Sequence, residues 1–261
     1  MFPNINVFGK DIPMYGLMSL LGIVVVAVFA FFWNKRRKLP WDDLLHIVIY
    51  CAIGAIIGAK ALYLITAIPT IIGNISVILA DPILIINALS SGFVFYGGLF
   101  GALFMMRLYC RKYSIDLEPY GSLFAIGAPL FHVFGRIGCF FAGCCYGVEV
   151  PWGVVFRHSI GAPNGIPLLP VQLIESALNI LIFIAVFAYQ RKNRRPFAAL
   201  KLYLICYAVI RFTLEFFRGD EIRGRFLVLS TSQWISVVVI VVCFWSVLRI
   251  RLQGRSLTTD H

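Results

Sequence analysis

Apolar runs of about 20 residues, the length an α-helix needs to cross about 30 Å of hydrocarbon, recur through this 261-residue chain between short polar or basic connections. We place spans at roughly 14–33, 45–67, 92–110, 120–142, 170–189, 198–217 and 226–248. With 60% hydrophobic and 13% charged residues and a mean hydropathy of +0.87, the composition lies far from that of a soluble globular chain. The expectation is an all-α polytopic membrane protein with about seven transmembrane helices. It is read as a single integral membrane domain over 1–261, not a soluble enzyme with an anchor.

The formal charge of +11 would suit a nucleic-acid footprint, but its placement follows the membrane. Lys35-Arg36-Arg37-Lys38, Arg107 with Arg111-Lys112, Arg191-Lys192 with Arg194-Arg195 and Lys201, and Arg249, Arg251 and Arg255 fall on alternate connections. Under the positive-inside rule these segments are cytoplasmic, which puts the N-terminus outside, the C-terminus inside and an odd number of spans between them. No nucleic-acid partner is expected. The first span is expected to stay in the mature chain, because its basic cluster follows the apolar run where a signal peptide has it in front.

Two longer connections carry most of the turn formers. The segment 68–91, with Pro69, Gly73, Asn74, Asp81 and Pro82, is too interrupted for further spans and reads as an interfacial or re-entrant arm. The segment 143–169 ends in Gly161-Ala162-Pro163-Asn164-Gly165-Ile166-Pro167, which excludes a helix. Together they are expected to form an outer-face cap.

The seven cysteines, at 51, 110, 139, 144, 145, 206 and 243, show no CxxC pair or zinc-type spacing. Packing as small buried hydrophobes is the favoured reading. Cys139, Cys144 and Cys145 crowd one segment, with His132 seven residues before Cys139, but neither a metal nor another cofactor is expected.

Arg136 interrupts the apolar, glycine-punctuated run from Gly135 to Gly147. A charge at bilayer depth costs about 2.5 to 3.5 kcal/mol on insertion scales and usually marks a functional cavity. Within one helical turn Arg136 has no acidic partner, and a lipid phosphate is its natural ligand. On the derived topology Tyr15, Tyr96, Arg136, Gln172, Glu175, Arg211 and Glu215 fall at or near the outer-leaflet side, with Lys60 a looser member. Arg211 and Glu215 are i,i+4, Arg218 follows Glu215 by three, and Gln172 and Glu175 are i,i+3, so each set shares a helical face. Gly97 and Gly98 permit close approach of backbone to a ligand.

Met14-Tyr15-Gly16-Leu17-Met18, Gly58-Ala59-Lys60, Phe95-Tyr96-Gly97-Gly98-Leu99, Gly135-Arg136-Ile137-Gly138, Pro170-Val171-Gln172-Leu173-Ile174-Glu175 and Arg211-Phe212-Thr213-Leu214-Glu215-Phe216-Phe217-Arg218 occur in this order. In that order and spacing the chain resembles bacterial prolipoprotein diacylglyceryl transferases over nearly its whole length. The resemblance implies a seven-helix enzyme of the bacterial cytoplasmic (inner) membrane. Such an enzyme moves diacylglyceryl from phosphatidylglycerol to the lipobox cysteine in the signal peptide of a preprolipoprotein, releasing glycerol phosphate. It implies catalytic roles for Arg136, Arg211, Tyr96 and Glu175. Substrate contacts would come from Tyr15, Gly97, Gly98, Arg136, Gln172, Arg211, Glu215 and Arg218, with membrane lipids as neighbours.

The chain departs from the family pattern at four places. Tyr96 stands where the family commonly has His, and Cys139, Ala142 and Cys144 replace two amides and a carboxylate. A phenol with a pKa of about 10 is a poor general base unless a nearby cation lowers it. Two alternatives stay open at this point: a related lipid-modifying transferase with another acceptor, and a non-enzymatic membrane protein for lipid binding or transport.

Overall fold

A computed structural model describes residues 3–7, 9–73, 92, 94–192, 197–220, 225–226 and 229–256. Among these residues seven α-helices form: α1 (Met14–Arg37), α2 (Trp41–Gly73), α3 (Phe95–Lys112), α4 (Leu117–Ala142), α5 (Val171–Lys192), α6 (Ala198–Leu214) and α7 (Thr231–Ser256). Short antiparallel pairs accompany them: β1 (Asn4–Val7) with β2 (Lys10–Pro13), β3 (Glu149–Val155) with β4 (Pro167–Leu168), and β5 (Arg225–Phe226) with β6 (Leu229–Ser230). Met14–Arg37, Trp41–Ile68, Leu117–Ala142 and Val171–Lys192 are long and apolar enough to cross a membrane. The expected arm at 68–91 begins as the last turns of α2, and its residues 74–91 lie outside the described residues.

Apolar residues face outward along these helices, including Leu20 and Ile23 on α1, Ile56 and Ile57 on α2, and Phe100 and Phe104 on α3. Gln172, Glu175, Ser176 and Asn179 on α5 are buried instead. Exposed apolar surface of this extent would drive a chain out of water. Facing lipid it costs nothing, and the polar interior is what membrane helices reserve for function. The chain is an all-α membrane protein.

Two compact units make up the chain, residues 1–33 with 121–261, and residues 34–120. The second is built on the α2–α3 pair. Gly54 and Gly58 of α2 meet Gly97 and Gly101 of α3 so closely that a Cβ at any of the four would overlap backbone of the facing helix. Close contact between small residues four apart is how helices associate in lipid, where apolar burial gives no preference for one partner over another. Gly97 would also bring a Cβ within 2.6 Å of the Leu62 Cβ. The space freed by Gly97 is therefore filled by α2, which gives this expected ligand contact a packing role.

In the larger unit α1 lies on α4. A Cβ on Gly22 would be 2.9 Å from the Phe134 Cβ, and one on Gly138 would be 3.2 Å from both the Tyr15 Cα and the Met18 Cβ. Aromatic rings lock α1 to α5, with Phe29 5.5 Å from Phe183 and 5.9 Å from Phe187 between centroids. Ser176 Oγ donates to the Val133 carbonyl at 3.2 Å, and Gln190 Nε2 donates to Ser122 Oγ at 3.2 Å, tying α5 to α4 at two levels. Helix α6 packs on α5 and on α7.

Candidate active site

Three helices of the larger unit turn polar faces inward. On α4, His132, Arg136 and Cys139 follow at steps of four and three, and on α5 Gln172, Glu175, Ser176 and Asn179 follow at i, i+3, i+4 and i+7. On α6, Tyr203, Tyr207 and Arg211 repeat every four residues. These spacings stack side chains on one face of a helix.

Arg136 Nη2 and Glu175 Oε1 meet at 2.8 Å, with Glu175 only 1% exposed. This is the acidic partner that Arg136 lacks within a turn of its own helix. A buried pair recovers the large cost of desolvating two charges only when geometry and further hydrogen bonds are good. Asn179 Nδ2 donates to the Glu175 carbonyl at 2.8 Å, and the Tyr207 phenol lies beside the Arg136 guanidinium. The His132 ring rests 5.0 Å from the Tyr207 ring, and its Nδ1 is 3.5 Å from the Tyr203 hydroxyl. The Glu175 carboxylate is thus held by Arg136, while its backbone is tied to Asn179.

Beyond α6 the chain tightens into a 3-10 turn at Glu215–Phe217. Arg211 Nη2 pairs with Glu215 Oε2 at 2.5 Å and donates to Ser232 Oγ, at the start of α7, at 3.3 Å. Asp220 takes the Arg218 fork at both oxygens, Nε to Oδ1 at 2.8 Å and Nη2 to Oδ2 at 2.6 Å. Burial disfavours the Arg218 charge, but these hydrogen bonds more than offset it and hold the guanidinium above its ordinary pKa. Arg211 lies within electrostatic reach of both Arg218 and Glu175. Arg211 Nη1 and Arg218 Nη1 are buried without a hydrogen-bond partner among the described residues. Donors left in that condition are costly unless an acceptor arrives.

The segment after α4 joins these parts. Gly147 N donates to the Leu169 carbonyl at 3.1 Å, Leu169 N to Val148 at 2.9 Å, Val148 N to Phe217 at 3.0 Å and Gly219 N to Tyr146 at 3.1 Å. Residues 146–148 therefore run between the 169 and 217–219 backbones. A Cβ on Gly147 would fall 2.6 Å from the Leu169 oxygen, and one on Gly219 would fall 2.6 Å from the Gly147 oxygen, so the crossing needs glycine at both places. Gln172 Nε2 donates to the Cys144 carbonyl at 2.8 Å, which orients the start of α5 against the same loop.

Of the residues singled out in the sequence, Arg136, Gln172, Glu175, Arg211, Glu215 and Arg218 lie in this unit at one end of its helices. Tyr15 joins them at the start of α1, half exposed and packed on Gly138. Lys60, Gly97 and Gly98 belong to the 34–120 unit, where the Lys60 ammonium lies 5.0 Å from the Tyr63 ring centroid. Tyr96 falls in the first turn of α3, and its side chain lies outside the described residues. Sequence reasoning missed Asn179, Tyr203, Tyr207, Ser232 and Asp220. The i+4 run Tyr203-Tyr207-Arg211 and the Glu175-Asn179 step were available as signals.

Fold and site define a class: an all-α membrane protein whose buried polar end gathers guanidinium groups, two with unused donors, in an arrangement suited to an anion. The comparisons narrow this further. A family model described as prolipoprotein diacylglyceryl transferase matches residues 4–249. The phosphatidylglycerol–prolipoprotein diacylglyceryl transferase of Clostridium tetani is 38% identical over 239 residues, covering 91% of this chain and 92% of that one. Phosphatidylglycerol–prolipoprotein diacylglyceryl transferase 2 of Clostridium perfringens is 34% identical, with 90% of each chain covered. The enzyme of the same name from Legionella pneumophila strain Paris is 29% identical, with 94% of this chain and 96% of its own covered. The chain belongs to the prolipoprotein diacylglyceryl transferase family.

Proposed function

We propose that this chain transfers diacylglyceryl from phosphatidylglycerol to the lipobox cysteine thiol of preprolipoproteins. The substrate thiolate attacks the glyceryl carbon bonded to phosphate oxygen. A C–S bond forms, the C–O bond breaks, and glycerol phosphate leaves with the electron pair. Charge gathers on the departing phosphate, so donors aimed there stabilise the transition state more than the bound lipid.

The observation that carries this reading is the buried Arg136–Glu175 pair beside Arg211 and Arg218, whose Nη1 donors are unpartnered. Arg136 and Arg211 hold the phosphate through forked donors, which match a pair of its oxygens bidentately as an ammonium does not. Arg218 adds a third, buried donor. Glu175 Oε2 is buried without a hydrogen-bond partner among the described residues and accepts the thiol proton. Gln172 holds the loop backbone at Cys144, Glu215 aims Arg211, and Tyr15 guides the lipid along α1. Tyr96 as a catalytic residue and Gly97 and Gly98 as lipid contacts are assigned on the family resemblance. The whole chain acts as one seven-span unit of the bacterial inner membrane, N-terminus outside and C-terminus inside, with 143–169 capping the site.

The test is purified chain with phosphatidylglycerol and a lipobox peptide, read as a diacylglyceryl mass increase on the peptide cysteine. Modification is expected, together with complementation of a strain depleted of its own transferase. Lipid binding without peptide modification would overturn this acceptor and favour another one.

A further inference from the structure

Helix α4 ends in a cap that gathers sulfur. Gly143, with φ +68, accepts the left-handed conformation, its N–H reaches the Phe140 carbonyl at 3.2 Å, and Cys144 N–H reaches the Cys139 carbonyl at 3.0 Å. This paired pattern is the Schellman motif, which folds the residue after the glycine back over the last helical turn. Cys144 is thereby brought over Cys139, its Sγ 3.7 Å from the Cys139 carbonyl oxygen. A second left-handed residue, Cys145 at φ +58, turns the next side chain toward the same place. The Sγ atoms of Cys139, Cys144 and Cys145 all lie within 4.8 Å of one another.

From this convergence we propose that Cys139, Cys144 and Cys145 form a three-thiolate site for one thiophilic divalent cation, such as zinc, and that its occupancy suppresses lipid transfer. Metal–sulfur bonds of about 2.3 Å separate the sulfurs by about 3.8 to 4.0 Å in tetrahedral or trigonal geometry, so closing the trio takes about 1 Å or less per pair. Binding releases three protons, and the cation with three thiolates carries one net negative charge, leaving a fourth position for water. Two guanidinium groups stand near that charge, although burial favours the neutral thiol at Cys139 and Cys144 until a cation binds. Arg218 lies beside the Cys145 thiol, and Arg136 is in electrostatic reach of Cys139 and Cys145. Cationic neighbours promote the thiolate form that metals bind. His132 is directed elsewhere, to Tyr203 and Tyr207. A disulfide would use two of the sulfurs and leave the third aside, whereas a cation uses all three. The suppressing effect rests on the transferase reading, since the anionic complex would draw Arg136 and Arg218 away from a lipid phosphate.

The experiment uses the reduced full-length protein in detergent under nitrogen, with cadmium as the spectroscopic probe. A thiolate-to-cadmium charge-transfer band should rise and saturate at one cadmium per chain, and zinc should displace it. The band should persist when Cys51, Cys110, Cys206 and Cys243 are all replaced by serine, and should be lost in Cys144→Ser and in Cys145→Ala. Zinc should also protect all three thiols of the unaltered protein from maleimide, read by peptide mass spectrometry, which tests the site without any substitution. Zinc should abolish lipid transfer by the wild-type protein and leave the metal-free rate of Cys144→Ser unaffected. Absence of the band, its survival in both trio variants, or a Cys139–Cys144 or Cys139–Cys145 disulfide in place of metal binding would overturn the site. Stoichiometric cadmium binding with unimpaired transfer would overturn the suppression. The binding readout needs no lipid acceptor, so its failure and that of the transferase reading are separable.

Discussion

Arg136 and Glu175 illustrate why single residues carry so much of this protein. Removing one partner of a buried ion pair leaves an uncompensated charge and costs about 3 to 5 kcal/mol, so Arg136→Ala tests stability and chemistry together. Arg136→Lys separates them, because charge opposite Glu175 is kept while the fork is lost. We expect Arg136→Lys to insert and bind phosphatidylglycerol, with turnover reduced about tenfold to more than a hundredfold. That range follows from about 1.5 to 3 kcal/mol per charge-assisted hydrogen bond. Steady-state assay of a protein with an unchanged thermal midpoint checks it; near-normal turnover would remove the fork from the mechanism. Tyr207 gives a smaller contrast. Its phenol touches the Arg136 guanidinium from α6, and Tyr207→Phe should lower turnover by about twofold to tenfold, in line with about 0.5 to 1.5 kcal/mol for a neutral hydrogen bond. For Tyr96, the residue that departs from the family pattern, Tyr96→His should retain peptide modification while Tyr96→Phe loses turnover more than lipid binding. Unimpaired turnover of Tyr96→Phe in the mass assay would deny the phenol its assigned part.

Elements differ in how far they can be read from sequence. Helices α1, α2, α4 and α5 were legible because a 20-residue apolar run has few other outcomes in lipid. Helix α6 was legible as a start at 198, but its end was set by a 3-10 turn that aims Arg218, which hydropathy does not report. The strands were not legible. Turn formers excluded a helix over 143–169, yet the pairing of 146–148 with both 169 and 217–219 depends on segments far apart in sequence. Arg136 had no visible acid for the same reason, its partner being on another helix. Glycines, ambiguous in sequence between ligand approach and packing, are resolved by what a Cβ would strike. Gly147 is one such case in the larger unit, since the Leu169 oxygen and the Val171 Cγ2 both stand 2.6 Å from the added atom. Gly147→Ala should therefore cost about 1 to 3 kcal/mol, as overpacking does, and displace Cys144, Cys145 and Arg218 together. A lowered thermal midpoint with loss of transfer is expected. Gly165→Ala, at φ +83 with open space around it, should cost only about 1 to 2 kcal/mol of backbone strain and leave transfer intact.

At the scale of the whole molecule the controlling quantity is the distribution of the +11 charge. Basic clusters close α1, α3 and α5, with Lys35, Arg36 and Arg37, Arg111 and Lys112, and Arg191 and Lys192 in their last turns. Each is placed where a cation also complements the helix C-terminus, but the field across the membrane is the stronger selector of sidedness. In the larger unit the polar site gathers at the opposite ends of α1 and α5, near Tyr15 and Gln172. If the basic ends face the cytoplasm, the site opens toward the compartment where a translocated lipobox cysteine arrives. Reporter fusions after residues 37, 112, 194 and 252 should accordingly read cytoplasmic, and fusions near 80 and 160 should read external. Moving charge tests the cause as well as the result. Neutralising Lys35, Arg36, Arg37 and Lys38 together should weaken the cytoplasmic reading after 37 more than neutralising Arg157 alters the external reading near 160, because a cluster of cations retains its connection in the cytoplasm whereas a lone cation on an outer connection only opposes the orientation. A cytoplasmic reading near 160 would turn Arg136, Arg211 and Arg218 to the wrong face, and the proposed acceptor could not reach them.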